Sequence, residues 1–565
     1  MMENKMMLTG AEYILEKISL IGVKHIFGIP GSHIDPLLIA SAHTDVQPVI
    51  NCHELSSGYM SDGYSRSSNK LGVLFGIGGP GSNNMITAVN TARIEKTPLL
   101  VITGDVPVNF SDVPGFQCAN KLGTNDDAIF KIITKYSRRV ENTEELVSSL
   151  EDAINIALSP PCGPSHLIIP FNVFNEMTSA QPNSIDYSSL RYWNNDNSEE
   201  IIARIKNLIL SDKNLVLWIG NSLNNKEQSR QIFDLAEKFH IPVTTSYCAK
   251  GVISEDHILA LGVFGYGGSS FAKEILLSND PRVIIGFDIE QNERNTLNWN
   301  PNLYKGKEVI LINYPGSYSN EKYGESIENN PLYVLKSLHS SLMNELYDNR
   351  LRKLWFGELL QNIKFEEKNI PVSHDGKIEP SRLIQILEKE MPGESILFVD
   401  SGTHRLFPGS HWKAKSPGSF YSAATVAPLG WAIAAGIGCK FSREEPVVIL
   451  SGDGCMQMHG IEIKTAVKYN KPVLIVISNN NAFGSIYRRF SRTSNALADL
   501  ALITEIDWTL FCKSLGAEAF DVTTEESLIK HIHDFLRDQK LTVLNLRTPV
   551  NPYIVDLDVT KAAFN

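Results

Sequence analysis

Apolar residues along this chain recur at two periods. At Ala11, Ile14, Leu15, Ile18 and Ile21 the spacing is helical, which predicts an amphipathic helix. Thr9-Gly-Ala-Glu12 ahead of it is a capping box, and Gly22 supplies a stop. Short apolar runs then predict strands at 23–28, 73–77 and 98–103. The pattern returns with strands at 215–219 and 283–286 around an apolar helix at 232–239. It returns again with strands at 396–399, 447–450, 473–477 and 541–546. Strands alternating with helices imply parallel sheets covered on both faces. The segment 179–200, rich in Ser, Asn, Asp and Pro, reads as a linker. A polar stretch at 313–330 and the helix after it lead to a last unit from about Pro380. The expectation is an α/β chain of three doubly wound parallel-sheet domains, at 1–180, 195–345 and 370–555.

One unit carries chemistry. The apolar run at 446–450 ends in Gly452-Asp453-Gly454, a helix-period segment follows at 461–470, and a second apolar run at 472–477 enters Asn479-Asn480-Asn481. This is a βαβ pattern, so both strands end at one sheet edge, where such folds bind ligands. Gly-Asp-Gly alone would also be an ordinary strand-ending turn. With asparagines at the far end of the unit, the pair Asp453 and Asn480 reads as hard oxygen ligands for Mg²⁺. The glycines admit a diphosphate, and the following helix offers its positive end. The loop 78–84 (Gly-Gly-Pro-Gly-Ser-Asn-Asn) is in itself only a glycine-rich turn.

Composition narrows the class. The 565 residues, 43% hydrophobic and 20% charged, describe ordinary globular domains, about three or four of them. A net charge of −11 leaves no basic surplus for a nucleic-acid partner. The 7 cysteines are odd in number and unclustered, as expected of free thiols in a reducing compartment. No apolar run reaches membrane-spanning length and the first residues lack a signal-peptide core, so the expected location is cytoplasmic, with no membrane partner.

The Gly-Asp-Gly…Asn-Asn pattern resembles the thiamine-diphosphate-dependent enzymes of the acetolactate synthase, pyruvate decarboxylase and benzoylformate decarboxylase superfamily. The resemblance implies pyrimidine-binding, central and diphosphate-binding domains in that order. It also implies that Asp453, Asn480 and the main-chain oxygen of Ala482 bind the metal, with Gly454 and Cys455 at the cofactor. Glu54, in a His-Glu-…-Asp-Gly-Tyr context, would be the buried carboxylate that bonds the pyrimidine ring. On local sequence alone, Glu54 reads instead as a helix-start residue paired with a nearby cation, and it is the resemblance that reverses this. Asn84 would contact thiamine. Gly402, Thr403 and His404 would face the diphosphate. Leu429 would wedge the cofactor into its bent form, with the Ala427 carbonyl accepting from it; the family often has Gly at that position. Ordinary core is the other reading of Leu429.

Substrate-side residues are Ser32 and His33, with a surface loop the other reading of His33, and Phe116-Gln117. The last pair resembles the Phe-Gln of acetolactate-synthase-like carboligases, where pyruvate decarboxylases carry His-His slightly downstream. Here that place holds Ala119-Asn120, so an activated aldehyde would last long enough to meet a second carbonyl. Arg489 falls where acetolactate synthases carry a tryptophan; it is either a clamp for a substrate anion or a solvated helix residue, and Arg405 and Arg488 are left open. The central unit lacks the arginine and the glycine fingerprint of flavin-bearing relatives, so FAD is not expected. The implied activity is decarboxylation of a 2-oxo acid with carboligation of the activated aldehyde to a carbonyl acceptor, in a homodimer or homotetramer with intersubunit sites. The alternatives are a simple decarboxylase releasing an aldehyde, a cofactor-binding protein without turnover, and a nicotinamide dehydrogenase.

Overall fold

A computed structural model describes residues 7–184, 188–211, 213–318, 320–362 and 376–554. Three six-stranded sheets, each parallel throughout, carry the fold. The first runs Gln47–Ile50, His25–Gly28, Gly72–Ile77, Leu99–Asp105, Pro164–Pro170, Tyr136–Arg139 from edge to edge. The second runs Ala260–Val263, Val243–Thr245, Leu215–Ile219, Val283–Phe287, Glu308–Asn313, Glu325–Glu328. The third runs Phe420–Ser422, Ile396–Val399, Val447–Gly452, Leu474–Asn479, Thr542–Arg547, Glu518–Val522. Inner strands such as Leu99–Asp105 and Leu474–Asn479 are buried along their whole length, as parallel strands with helices on both faces must be.

The first helix, Gly10–Leu20, starts as its sequence predicts: the Glu12 N–H donates to Thr9 Oγ1 at 3.2 Å and the Thr9 N–H to Glu12 Oε2 at 2.7 Å. Elsewhere the chain departs from the expected periods. Gly-Asp-Gly opens a helix at once, Asp453–His459, and the segment expected to be one helix at 461–470 is a 3₁₀ turn, Gly460–Glu462, followed by Ile463–Lys468. The polar stretch at 313–330 holds an edge strand, Glu325–Glu328, whose first residue pairs with Arg204 at 2.7 Å. The segment expected to be a linker is docked where it is described. Trp193 Nε1 donates to the Pro160 carbonyl at 2.8 Å, and the helix Ser198–Leu210 begins inside it.

Helix Glu54–Ser68 holds the first and third units together. Its sequence suggests one apolar face, yet every residue from Ser56 to Ser65 is buried. Small side chains let its backbone lie on helix Trp431–Cys439. A Cβ at Gly63 would stand 2.0 Å from the Ala435 oxygen, and one at Gly438 2.1 Å from that of Met60. Buried hydroxyls bond within the helix, Ser61 to the Ser57 carbonyl at 2.9 Å and Ser67 to that of Gly63 at 2.7 Å. The Asp62 charge is met by Arg66 at 2.9 Å and by Trp431 Nε1 at 2.6 Å. A buried polar group costs little when so satisfied.

Candidate active site

Strands Val447–Gly452 and Leu474–Asn479 pair with Gly452 opposite Ser478, so chain direction brings Asp453 and Asn480 to one sheet edge. The Ala482 N–H donates to both, at 3.2 Å to Asp453 Oδ2 and 3.0 Å to Asn480 Oδ1. Burial pushes the Asp453 carboxyl up to about 6, although backbone N–H groups of Gly454 and Ala482 favour its charged form. Among the described residues no three His, Cys, Asp or Glu side chains are grouped so that they could hold a metal ion. A cation here would therefore lean on amide and main-chain oxygens beside one carboxylate, a donor set that fits Mg²⁺.

Asp453 and Asn480 open onto a cavity of about 290 Å³. Gly402, Thr403, His404, Ala427, Leu429, Gly454, Cys455 and Ala482, all singled out from sequence, also line it. Thr403 Oγ1 and His404 Nε2 are buried there without a hydrogen-bond partner. Burial holds the His404 imidazole down to about 4, so it is neutral at ordinary pH. Two unmet polar atoms beside the N-terminus of a helix suit a polyoxygenated anion such as a diphosphate. Leu429 is half-buried at this wall, not core. The Cys455 thiol meets the Ser401 carbonyl at 3.1 Å, and all seven cysteines are free.

Asp400 organises the loops around the cavity, a role its sequence position does not reveal. It accepts from the N–H groups of Ser401 and Gly430 at 3.0 and 2.9 Å and from Ser451 Oγ at 3.0 Å. Ala427 sits at φ 57°, left-handed backbone that costs a non-glycine residue roughly 1–2 kcal/mol. Ala427→Gly is expected to leave melting temperature unchanged or raised by a few degrees, whereas a β-branched Ala427→Val lowers it; thermal unfolding of the two proteins checks this.

The residues expected from the first unit gather at a different edge. Glu54 begins its helix, and Asn84 Nδ2 donates to Glu54 Oε2 at 3.0 Å. Glu54 is half-buried in the single chain, not buried as expected. The expected turn at 78–84 is already helix from Pro80, in Pro80–Ile94, which carries Asn84. Gln117, at φ 52°, lies against that helix's N-cap, Gly79, and Gly81 faces Glu54. His33 is half-buried behind Gly104 with Nδ1 unpartnered, and desolvation lowers its pKa against the pull of Asp105; Ser32 beside it is exposed. Phe116 is 80% exposed. None of these residues lines the 290 Å³ cavity. Arg489 does not line it either: it is exposed on helix Gly484–Ser491, over the Phe490 ring, and that helix presents Ser485 and Ile486 to the cavity instead. The wall is completed by Tyr266, Arg294 and the buried Arg405.

Three family descriptions match in chain order: "Thiamine pyrophosphate enzyme, N-terminal TPP binding domain" at residues 8–124, the central domain of the same family at 202–325, and its C-terminal TPP binding domain at 400–546. The chain belongs to the thiamine pyrophosphate enzymes. Among related thiamine pyrophosphate enzymes, the acetolactate synthase large subunit of Haemophilus influenzae is 26% identical, over 99% of this chain and 97% of that protein. The acetolactate synthase isozyme 3 large subunit of Escherichia coli is 27% identical, over 85% of this chain and 83% of its own. An X-ray structure of a thiamin diphosphate-dependent enzyme from Mycobacterium smegmatis shares the fold, with a TM-score of 0.80 at 18% identity, covering 96% of this chain and 100% of that one. The three matched segments fall on the three sheets, so the chain carries an N-terminal TPP binding, a central and a C-terminal TPP binding domain.

Proposed function

We propose that the protein decarboxylates a 2-oxo acid and transfers the activated aldehyde to a second carbonyl compound, using thiamine diphosphate and Mg²⁺. The observation that carries the cofactor part is the pairing of Asp453 and Asn480 over the Ala482 N–H, beside the unmet Thr403 and His404. Asp453, Asn480 and the Ala482 carbonyl would hold the metal, and Thr403, His404 and Gly402 the diphosphate. Thiamine diphosphate, when bound, supplies an electron sink for the charge left by loss of CO₂. Glu54 would hold a proton against the pyrimidine nitrogen, and Asn84 orients that carboxylate. Leu429 and Ala427, on the cavity wall, would contact the cofactor and help to orient it.

Carboligation is favoured over simple decarboxylation by what stands after Gln117. Ala119 and Asn120 are buried and tied to the protein, the Ala119 N–H to Asp105 at 2.8 Å and Asn120 Nδ2 to the Ser111 carbonyl at 2.9 Å. No acid from that position would protonate an aldehyde equivalent early, so it persists for a second carbonyl. The acetolactate synthase relatives support the same reading. Incubation with thiamine diphosphate, Mg²⁺ and ¹³C-pyruvate, followed by NMR, tests it. A new carbon–carbon bond is the expected result, and free acetaldehyde alone would replace the carboligase by a decarboxylase.

We also propose a subunit interface that completes the site, since Glu54 and Asp453 serve separate edges of one chain. Large apolar side chains surround both edges: Phe116 and Leu500 are 80% and 74% exposed, with Leu122 and Met458 above half. Such a face suits a second copy of the chain. The central unit is proposed to carry no flavin. At the end of strand Val283–Phe287, Asp288 is paired with Lys96, and Glu290 stands close by, so carboxylates occupy the place where a pyrophosphate would sit. The purified protein is expected to show no flavin absorption in the visible spectrum; bound flavin would overturn this.

A further inference from the structure

Arg405 is 5% exposed, yet among the described residues no acidic side chain lies within ion-pair distance of it, and its Nη1 is buried without a hydrogen bond. A buried charge is normally paired, because taking an ion out of water is costly. The backbone around it is firmly set. Tyr247 Oη donates to the Arg405 carbonyl at 2.7 Å, and Gly267 lies against Leu406. The loop thus holds the guanidinium where, among the described residues, no carboxylate pairs with it and Nη1 is unmet. Arg294 arrives there from the central unit: its guanidinium stacks on Tyr266 at 4.7 Å, and its Nη1 is also buried without a hydrogen bond.

Arg405, Arg294 and Tyr266 form the wall common to two cavities. One is the cofactor cavity; the other, of about 280 Å³, lies between the three units and contains neither Asp453 nor Asn480. Of the acids of this second cavity, Glu293 is exposed and lies 4.0 Å from Arg294 Nε, and the others are engaged elsewhere. Glu95 accepts from the Thr425 N–H at 2.8 Å and Asp288 from that of Ser222 at 3.0 Å, while Lys96 serves Asp288 and Glu290. Each arginine keeps a buried, unmet Nη1 at the wall between the two cavities, and Arg405, with no ion-pair partner among the described residues, is the one that calls for an anion from outside.

We infer that Arg405, assisted by Arg294, is a specificity site for a second carboxylate on the substrate, so that the enzyme takes a dicarboxylic 2-oxo acid in preference to a monocarboxylic one. A planar guanidinium matches a carboxylate bidentately, and the pair gains strength away from water. The inference rests on the 2-oxo acid reading above. The holoenzyme should convert 2-oxoglutarate with a kcat/KM at least about tenfold above that for 2-oxopentanoate, which has the same chain length and no second charge. Arg405→Gln should bring that ratio down to about one, and Arg405→Lys should recover part of it. Thermal stability of ligand-free Arg405→Gln should equal or exceed that of the unmodified protein, because an uncompensated buried charge has been removed. Equal losses on both substrates would overturn the inference. So would a weakened affinity for thiamine diphosphate with the ratio unchanged, which would assign Arg405 to the diphosphate. Calorimetric titration of the holoenzyme with glutarate, which lacks the reacting carbonyl, separates the two readings. Binding that is lost in Arg405→Gln, in a protein that turns over no 2-oxo acid, would sustain the anion site and sink the reaction. Turnover of pyruvate without glutarate binding would do the reverse.

Discussion

Glu54→Gln is expected to lower kcat by about 10²–10⁴-fold while leaving the affinity for thiamine diphosphate and Mg²⁺ within a few-fold. Glu54 is the first residue of its helix, and the N-cap beside it is His53, whose ring accepts from the Leu55 N–H at 3.1 Å. The helix end favours an anion there, and Asn84 fixes the carboxylate's orientation at 3.0 Å. Glutamine keeps the size and can accept the same hydrogen bond, but it cannot exchange a proton with a ring nitrogen. The loss should therefore fall on kcat. Deuterium exchange at the thiazolium carbon, followed by NMR, should slow in parallel. Asn84→Ala leaves the carboxylate and removes only its guide, so a smaller loss of about tenfold is expected, in line with one hydrogen bond to a charged group. Exchange in Glu54→Gln as fast as in the unmodified holoenzyme would remove Glu54 from the chemistry.

The site was legible in sequence where chemistry and local structure coincide. Gly452-Asp453-Gly454 and Asn479-Asn480 stand at the ends of two strands whose apolar runs are unmistakable, and parallel pairing does the rest. Thr9 and Glu12 likewise announce their helix by direct side-chain contact. What stayed hidden depends on contacts distant in sequence. Helix Glu54–Ser68 carries many serines, which read as polar surface; they are buried because only small side chains let the helix lie on Trp431–Cys439. The strand Glu325–Glu328 is polar because it lies at a sheet edge, and its neighbour Glu308–Asn313 dictates it rather than its own pattern. Arg405 was visible as a residue but not as a buried charge without an ion-pair partner among the described residues, since the Tyr266 and Arg294 that share its cavity wall come from another unit. Arg489, chosen by position along the chain, is exposed in the single chain, where its helix gives Ser485 and Ile486 to the cavity.

Asp453→Asn is expected to weaken Mg²⁺ binding by at least about 100-fold, since even an outer-shell partner of a metal ligand is worth 10–100-fold and this change removes the ligand's charge. Activity should fall with it, and excess Mg²⁺ should restore only part. Mixed with Glu54→Gln, this variant distinguishes the one-chain from the two-chain site. Within one chain, Glu54 and Asp453 belong to separate edges, and only Asp453 faces the cavity with Thr403 and His404. If each site combines Glu54 of one copy with Asp453 of another, a mixed dimer of the two variants contains one doubly altered site and one wholly unaltered site. Two nearly inactive proteins, unfolded together and refolded at equal concentration, should then recover about one quarter of the unmodified activity, because random pairing makes half the dimers mixed and each has one good site of two. Sites built within single chains predict no recovery, since every chain carries a lesion. Recovery would thus establish the shared site by activity alone. Its absence, with mixed dimers shown to form by differential tagging, would require Glu54 and Asp453 of the same chain to meet through a rearrangement of helix Glu54–Ser68 against Trp431–Cys439. The close backbone contacts at Gly63 and Gly438 oppose such a movement.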